Sequence, residues 1–289
     1  MRILAAFDTH SYSAGIVSEV AKLAANTWAD VTLLAVQPAG GQTGPDQALA
    51  DALLAYGQAF IGKFSGADLP YDRLAPEASF TPGNGFWELT GGSRAGGGRK
   101  QLLLKIRSGD TTKEILAEAR EQESDLIILG CTKGLDCQWQ GEIELPQKIA
   151  KGAGCSVLVI KEKKLPETLI CCMDQAHVSQ ASLEMINQIV TLHDAELKII
   201  GLTGPKGKVG KGEVETKIAE ILKYYSDRQI NAWIKLIRLD SLEEYVARAS
   251  REGMIALWMG EKSLLSKIFS RDLVGKLVHY SQSSVLILR

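Results

Sequence analysis

The chain has 289 residues and a formal net charge of −1, which at roughly 100–200 residues per domain suggests two domains and leaves no overall field for nucleic acid or an anionic membrane. It is 45% hydrophobic and 23% charged, an ordinary globular balance, and it lacks the run of about 18 apolar residues that would mark membrane insertion. The N-terminus meets Asp8 too early for a secretory signal, and five cysteines in a chain of this length do not read as a disulfide framework, so a reduced, cytoplasmic setting is expected.

Ile3–Phe7 is a short continuous apolar run, the pattern of a strand buried on both faces. Ser11 and Ser13 supply cap residues for a helix in which Ile16, Val20, Leu23 and Ala24 recur at helical spacing. Val31–Val36 is the second strand, and Ala48 to Phe60 carries a second amphipathic helix. The segment 65–100, with Pro70, Pro76 and Pro82 and a glycine-rich run at 91–98, reads as a structureless insertion in preference to a lid or partner arm, although Phe86-Trp87 favours docking. Leu102–Ile106 is the next strand, Asp110 or Thr111 caps a helix, Leu126–Leu129 is a strand stopped by Gly130, and a helix near Pro146–Lys151 leads to a final strand at Val157–Ile160.

After a charged, proline-broken linker the series repeats, with strands at Leu169–Met173, Leu197–Leu202, Trp233–Ile237, Ile255–Met259 and Val285–Leu288. Residues 3–8 align on 169–174 at an offset of 166, which also carries Ala29–Val36 onto Ala195–Leu202. A block at offset 130 puts Asp110, Glu114, Ala117 and Gly130 on Asp240, Glu244, Ala247 and Gly260, and one at offset 128 puts Ser156-Val157-Leu158 on Ser284-Val285-Leu286. The chain is therefore read as a duplication, with a first domain over 1–163 that includes the 65–100 insertion and a second over 168–289. Strands alternating with helices imply parallel, doubly wound α/β sheets, which bind ligands beyond the carboxyl ends of their strands at the switch point. Asp8, Asp174, Gly130 and Gly260 all fall at predicted strand ends.

An apolar strand ending in Asp8, the strand Thr32–Val36, Ser108-Gly109-Asp110 before a helix, the run Ser124-Asp125-Leu126-Ile127-Ile128-Leu129-Gly130 and the closing Cys155–Ile160 together resemble the universal stress protein family in tandem form. The resemblance covers both copies apart from the insertion. It implies two flavodoxin-like (HUP-type) units, each a five-stranded parallel sheet with helices on both faces, joined through their last strands as an internal pseudo-dimer. It also implies an adenine nucleotide, ATP in many members, as ligand. Asp8 and Asp174 would meet the adenosine end, and Val36 and Leu202 would flank the base; the alternatives are a carboxylate capping its own turn and strand-end core residues.

The family pattern Gly-x2-Gly-x9-Gly-[Ser/Thr] is only partly kept. Gly130 and Gly134 are one residue too far apart, and the closing pair would be Ile143-Glu144 or Gly141-Glu142, either of which sets a carboxylate where a phosphate belongs. The second copy reads Gly260-Glu261-Lys262-Ser263, without the second glycine. Degenerate nucleotide sites are expected.

Other chemistry is thin. Cys131 and Cys137 lack the partners of a zinc site, and inert thiols are expected. Cys171-Cys172 lie within a buried strand; His10 and His177 follow the two aspartates with no nucleophile or metal set nearby; His193 and His279 are expected at helix ends or on the surface. The run Gly204–Gly212 fails phosphate-loop spacing. Two readings follow: a non-enzymatic stress-response binding module, acting with a protein partner or by self-association, or an ATP-binding sensor with slow ATPase turnover through the first copy.

Overall fold

The computed structural model describes all residues except 41–43, 65–69, 91–98, 133–138, 140–143, 162–166, 174–177, 204–210 and 260–270. One twelve-stranded sheet runs through the molecule in the order β10-β9-β8-β11-β12-β7-β6-β1-β2-β5-β4-β3. The first half contributes β1 (Arg2–Phe7), β2 (Asp30–Gln37), β5 (Leu102–Ser108), β6 (Leu126–Gly130) and β7 (Ser156–Ile160). The second half contributes β8 (Thr168–Met173), β9 (Glu196–Thr203), β10 (Ala232–Arg238), β11 (Met254–Trp258) and β12 (Val285–Leu288). Counted within its own half, each set is parallel and ordered 3-2-1-4-5, so the switch point lies between β1 and β6 in one half and between β8 and β11 in the other.

The two halves join where β7 and β12 pair antiparallel, Leu158 opposite Leu286. All five residues of β7 and all four of β12 are buried, so the seam is hydrophobic core and not an exposed edge. Two pairs of helices also bridge the halves. α1 (Ser11–Thr27) packs on α5 (Gln180–His193) through an Asn26–Gln188 side-chain hydrogen bond, and α4 (Leu145–Gly152) packs on α8 (Arg271–Tyr280). The second approach is close: a Cβ on Gly275 would meet Cε of Lys151.

Strands buried on both faces need two cores, and the alternation of side chains supplies them. Ile3, Ala5 and Phe7 of β1 point with Leu126 and Ile128 of β6 toward α1, whereas Leu4, Ala6, Ile127 and Leu129 point toward α3 (Thr111–Glu121) and α4. The caps follow the sequence in most places. Asp110 accepts from Lys113 N at 2.9 Å, Asp46 does the same for α2 (Gln47–Ile61) from Leu49 N at 2.9 Å, and Ser179 caps α5 through Ser182 N at 3.1 Å. At α1 the expectation of a serine cap fails: the N-cap is His10, without a side-chain cap bond, because the Ser13 hydroxyl turns back toward Asp8.

Part of the insertion is structured, against the reading of a structureless loop. β3 (Ser79–Pro82) and β4 (Phe86–Thr90) form a hairpin, and β4 runs antiparallel along β5 and covers its edge. Glu88 Oε2 lies 3.6 Å from Lys105 Nζ, and the Phe86 ring lies 4.8 Å from the same ammonium. Gly85, at φ +82°, supplies the left-handed residue the tight connection needs.

Strand registers also correct the alignment of the copies. β1 and β8 correspond at offset 166, and Ile3 pairs with Leu126 while Leu169 pairs with Met254, so β6 and β11 differ by 128. The structural counterpart of Gly130 is therefore Trp258, not Gly260, and the second half loses its two residues before β11.

Candidate functional site

At the carboxyl end of β1 the chain turns sharply into α1, and Asp8 at this turn is completely buried. Its Oδ1 accepts the His10 backbone N–H at 2.9 Å and the Ser13 hydroxyl at 2.7 Å. Its Oδ2 accepts the Tyr12 hydroxyl and lies 3.1 Å from His10 Nδ1. The Asp8 backbone N–H donates back to Ser13 Oγ at 3.1 Å, and its carbonyl accepts from Tyr56 at 2.9 Å. The carboxylate is thus surrounded by donors from its own turn, which meets the high cost of burying a charge. Burial raises the Tyr56 phenol, and the charge on Asp8 raises it further, so the phenol stays protonated and keeps its role as donor.

His10 and Tyr12 stack above the carboxylate, their rings 5.4 Å apart and 10° from parallel. Tyr12 then meets Trp139 at 5.9 Å, and Trp139 is 1% exposed. His10, Tyr12 and Trp139 therefore form a chain of aromatic rings beside Asp8. Gly130 lies close to them: a Cβ there would come within 3.3 Å of both Ile16 and Tyr12, tighter than ordinary packing, so the glycine suits the close approach of α1. Val36 is 4% exposed and belongs to the same core cluster as Trp139, Cys131 and Leu145. Two buried donors at this end have no partner among the described residues, Trp139 Nε1 and Ser108 Oγ, the latter on the residue paired with Gln37.

The structure thus brings Asp8, Val36 and Gly130 to one end of the sheet. Gly134, Gly141, Asp174, Gly260 and Ser263 lie outside the described residues. Leu202, at the corresponding end of β9, is 3% exposed. Tyr12, Tyr56, Trp139 and Trp258 were not singled out in the sequence. Tyr12 carried a usable signal, since a residue four after a turn aspartate at a helix start can fold back onto it; the packing of Trp139 depends on the chain path and carried none.

In the second half Trp258 stands at the end of β11, 4% exposed, where the first half has Gly130. At offset 166 the residues corresponding to Tyr12 and Ile16 are Val178, just before α5, and Ser182 within it, both smaller. Trp258 belongs to a buried cluster against which Val178 packs.

Elsewhere the chemistry is structural. Arg107 binds Glu114, Glu118 and Glu121 at 2.6–2.9 Å, and Lys105 binds the fully buried Glu118 at 3.0 Å, tying α3 to β5. Hydrogen bonding to Arg107 holds the Glu121 carboxyl below its usual range. His193 closes α5, one of the two positions expected for it, with its side chain turned inward and Nε2 3.2 Å from the buried Glu19 of α1. Cys171 and Cys172 are free and fully buried, and burial pushes the Cys172 thiol up to about 12, as expected for inert thiols. Cys131 departs from the reduced-thiol expectation: it is disulfide-bonded. Among the described residues no cluster of three or more His, Cys, Asp or Glu could hold a metal, and no helix is long and apolar enough to cross a membrane.

Solved structures share this architecture. A universal stress protein from Archaeoglobus fulgidus DSM 4304 aligns with a TM-score of 0.58 and 12% identity over 100% of this chain and 96% of its own. A functionally unknown protein from Pseudomonas aeruginosa PAO1 aligns with a TM-score of 0.58 and 13% identity over 99% and 92%. At such identities the likeness speaks for the fold alone. No curated protein matches the sequence. The sequence model of the universal stress protein family matches residues 1–161, more than half of the 289. The α/β architecture and this match together establish that the chain belongs to the universal stress protein family.

Proposed function

We propose that the protein is a tandem universal stress protein, two domains over 1–163 and 168–289 paired as an internal pseudo-dimer, that acts as a non-enzymatic binding module in the stress response and has let its nucleotide sites lapse. The observation that carries this reading is the Asp8 carboxylate, buried and surrounded by donors from its own turn. A ligand hydroxyl reaching for it would first have to displace Tyr12 or Ser13. Trp258 in place of a switch-point glycine supports the same reading for the second domain. A cytoplasmic location fits the free thiols of Cys155, Cys171 and Cys172, though not the disulfide at Cys131. The partner is a protein or a second copy of the chain.

One observation favours a second reading. The unpartnered donors Trp139 Nε1 and Ser108 Oγ sit at the strand ends of the first domain, where ATP or another adenine nucleotide would supply acceptors, as a sensor with slow ATPase activity requires. Isothermal titration of the wild-type protein with ATP, ADP and AMP, with and without magnesium, separates the two. No saturable heat up to ~1 mM nucleotide, a standard free energy weaker than about −4 kcal/mol, is expected from the first reading. Submillimolar binding of ATP would overturn it in favour of the second.

A further inference from the structure

The duplication supplies an internal template for a surface that one half covers and the other leaves open. Val31 pairs with Leu102 and Leu197 pairs with Ala232, so β5 and β10 correspond at offset 130, and Lys105 and Ile106 become Lys235 and Leu236. In the first half the outer edge of this strand is covered by β4, which sets Trp87 opposite Ile106 and Glu88 opposite Lys105. In the second half β10 is the last strand of the sheet. Trp233 is 42% and Leu236 45% exposed, both on this strand.

The charges change in the same way. Lys105 is neutralised by Glu118 and Glu88, but the same offset puts Arg248 at the position of Glu118. Lys235 has no carboxylate within ion-pair distance among the described residues, and its ammonium lies over the Tyr245 ring at 5.5 Å. Edge strands are ordinarily protected by shortness, proline or cover. The opposite end of the sheet follows that rule, since β3 has four residues and ends in Pro82. β10 has seven residues and no proline.

We propose that the outer edge of β10 is a docking site for an extended segment of another protein, running antiparallel, with an acidic residue opposite Lys235 and an aromatic one opposite Leu236. Main-chain hydrogen bonds to the edge around Lys235 and Leu236, which no further strand among the described residues covers, supply the attraction, and the acidic and aromatic side chains fix the register, as Glu88 and Trp87 do on β5. A second copy of the chain is a poorer occupant: a twofold pairing of β10 centred on Lys235 sets two lysines directly opposite, and like charges so placed are destabilising.

The test uses the full chain and a fluorescent peptide with the sequence of residues 79–90, read by anisotropy. Saturable binding below ~1 mM is expected. Lys235→Glu should weaken it about tenfold, and the peptide carrying Glu88→Lys should regain affinity for the Lys235→Glu chain. Lys235 is exposed, so the variant should keep the wild-type circular dichroism spectrum. Because Lys105 is untouched, dependence on Lys235 separates docking at β10 from displacement of the chain's own hairpin on β5. Absence of saturation, or equal affinity for the two chains, would overturn the proposal. So would a dimer in sedimentation that Lys235→Glu abolishes, which would give the edge to a second copy.

Discussion

Replacing Asp8 by alanine distinguishes a carboxylate that holds its own turn from one kept for a ligand. The substitution strips the acceptor from three donors: the His10 N–H at 2.9 Å, the Ser13 hydroxyl at 2.7 Å and the Tyr12 hydroxyl. Hydrogen bonds to a charged group contribute about 1.5–3 kcal/mol each, but bonds within one network do not add, and an unmade buried bond costs most where water cannot enter. Ser13 is fully buried, whereas the His10 ring is half exposed, so part of the loss is recovered by hydration on that side. The expected loss is ~3–4 kcal/mol, a large share of the ~5–15 kcal/mol typical of a folded chain. Asp8→Asn keeps an acceptor but loses the charge, and should fall between wild type and Asp8→Ala. Urea unfolding at pH 7, followed by far-UV circular dichroism, measures all three. Residues held for function at the expense of stability commonly leave the protein as stable or more stable when removed. A loss below ~0.5 kcal/mol, or a gain, would therefore refute the capping argument and restore a ligand role.

Lys161 and Trp258 give two further predictions. Lys161 is buried at the seam, its ammonium donating to the His279 and Ser281 carbonyls, and burial brings it down from 10.5 to about 8. The folded value lies below the unfolded one, so the cost of the buried charge is fully present below pH 8 and fades as pH rises toward 10.5; relative to Lys161→Met, the wild type should gain about 1–2 kcal/mol between pH 7.5 and 10, after allowing for solvent screening, and parallel stability curves would contradict this. Trp258→Ala should cost ~3–5 kcal/mol in urea unfolding, because the buried cluster around it cannot refill the space; a loss under ~1 kcal/mol would show that the indole does not fill this part of the core.

The sequence by itself determined the strands of the two five-stranded sets and the sheet class, and it suggested the duplication. Continuous apolar runs such as Ile3–Phe7 and Leu126–Leu129 can be satisfied only where both faces are covered, and that condition is local to each run. It also placed Asp8, Val36 and Gly130 at strand ends, where the structure has them. Three matters needed the tertiary structure. Whether Asp8 faces its own turn or a ligand depends on where Tyr12, Ser13 and Tyr56 point, and Tyr56 comes from another helix. The hairpin 79–90 was illegible because its strands are only four and five residues long and lie among prolines and glycines, and they become strands only through pairing with each other and with β5. The match of Gly130 to Trp258 was hidden by a chance glycine two residues on; register is set by hydrogen bonding between strands, which sequence alignment does not see, and a slip of two keeps every side chain on its proper face.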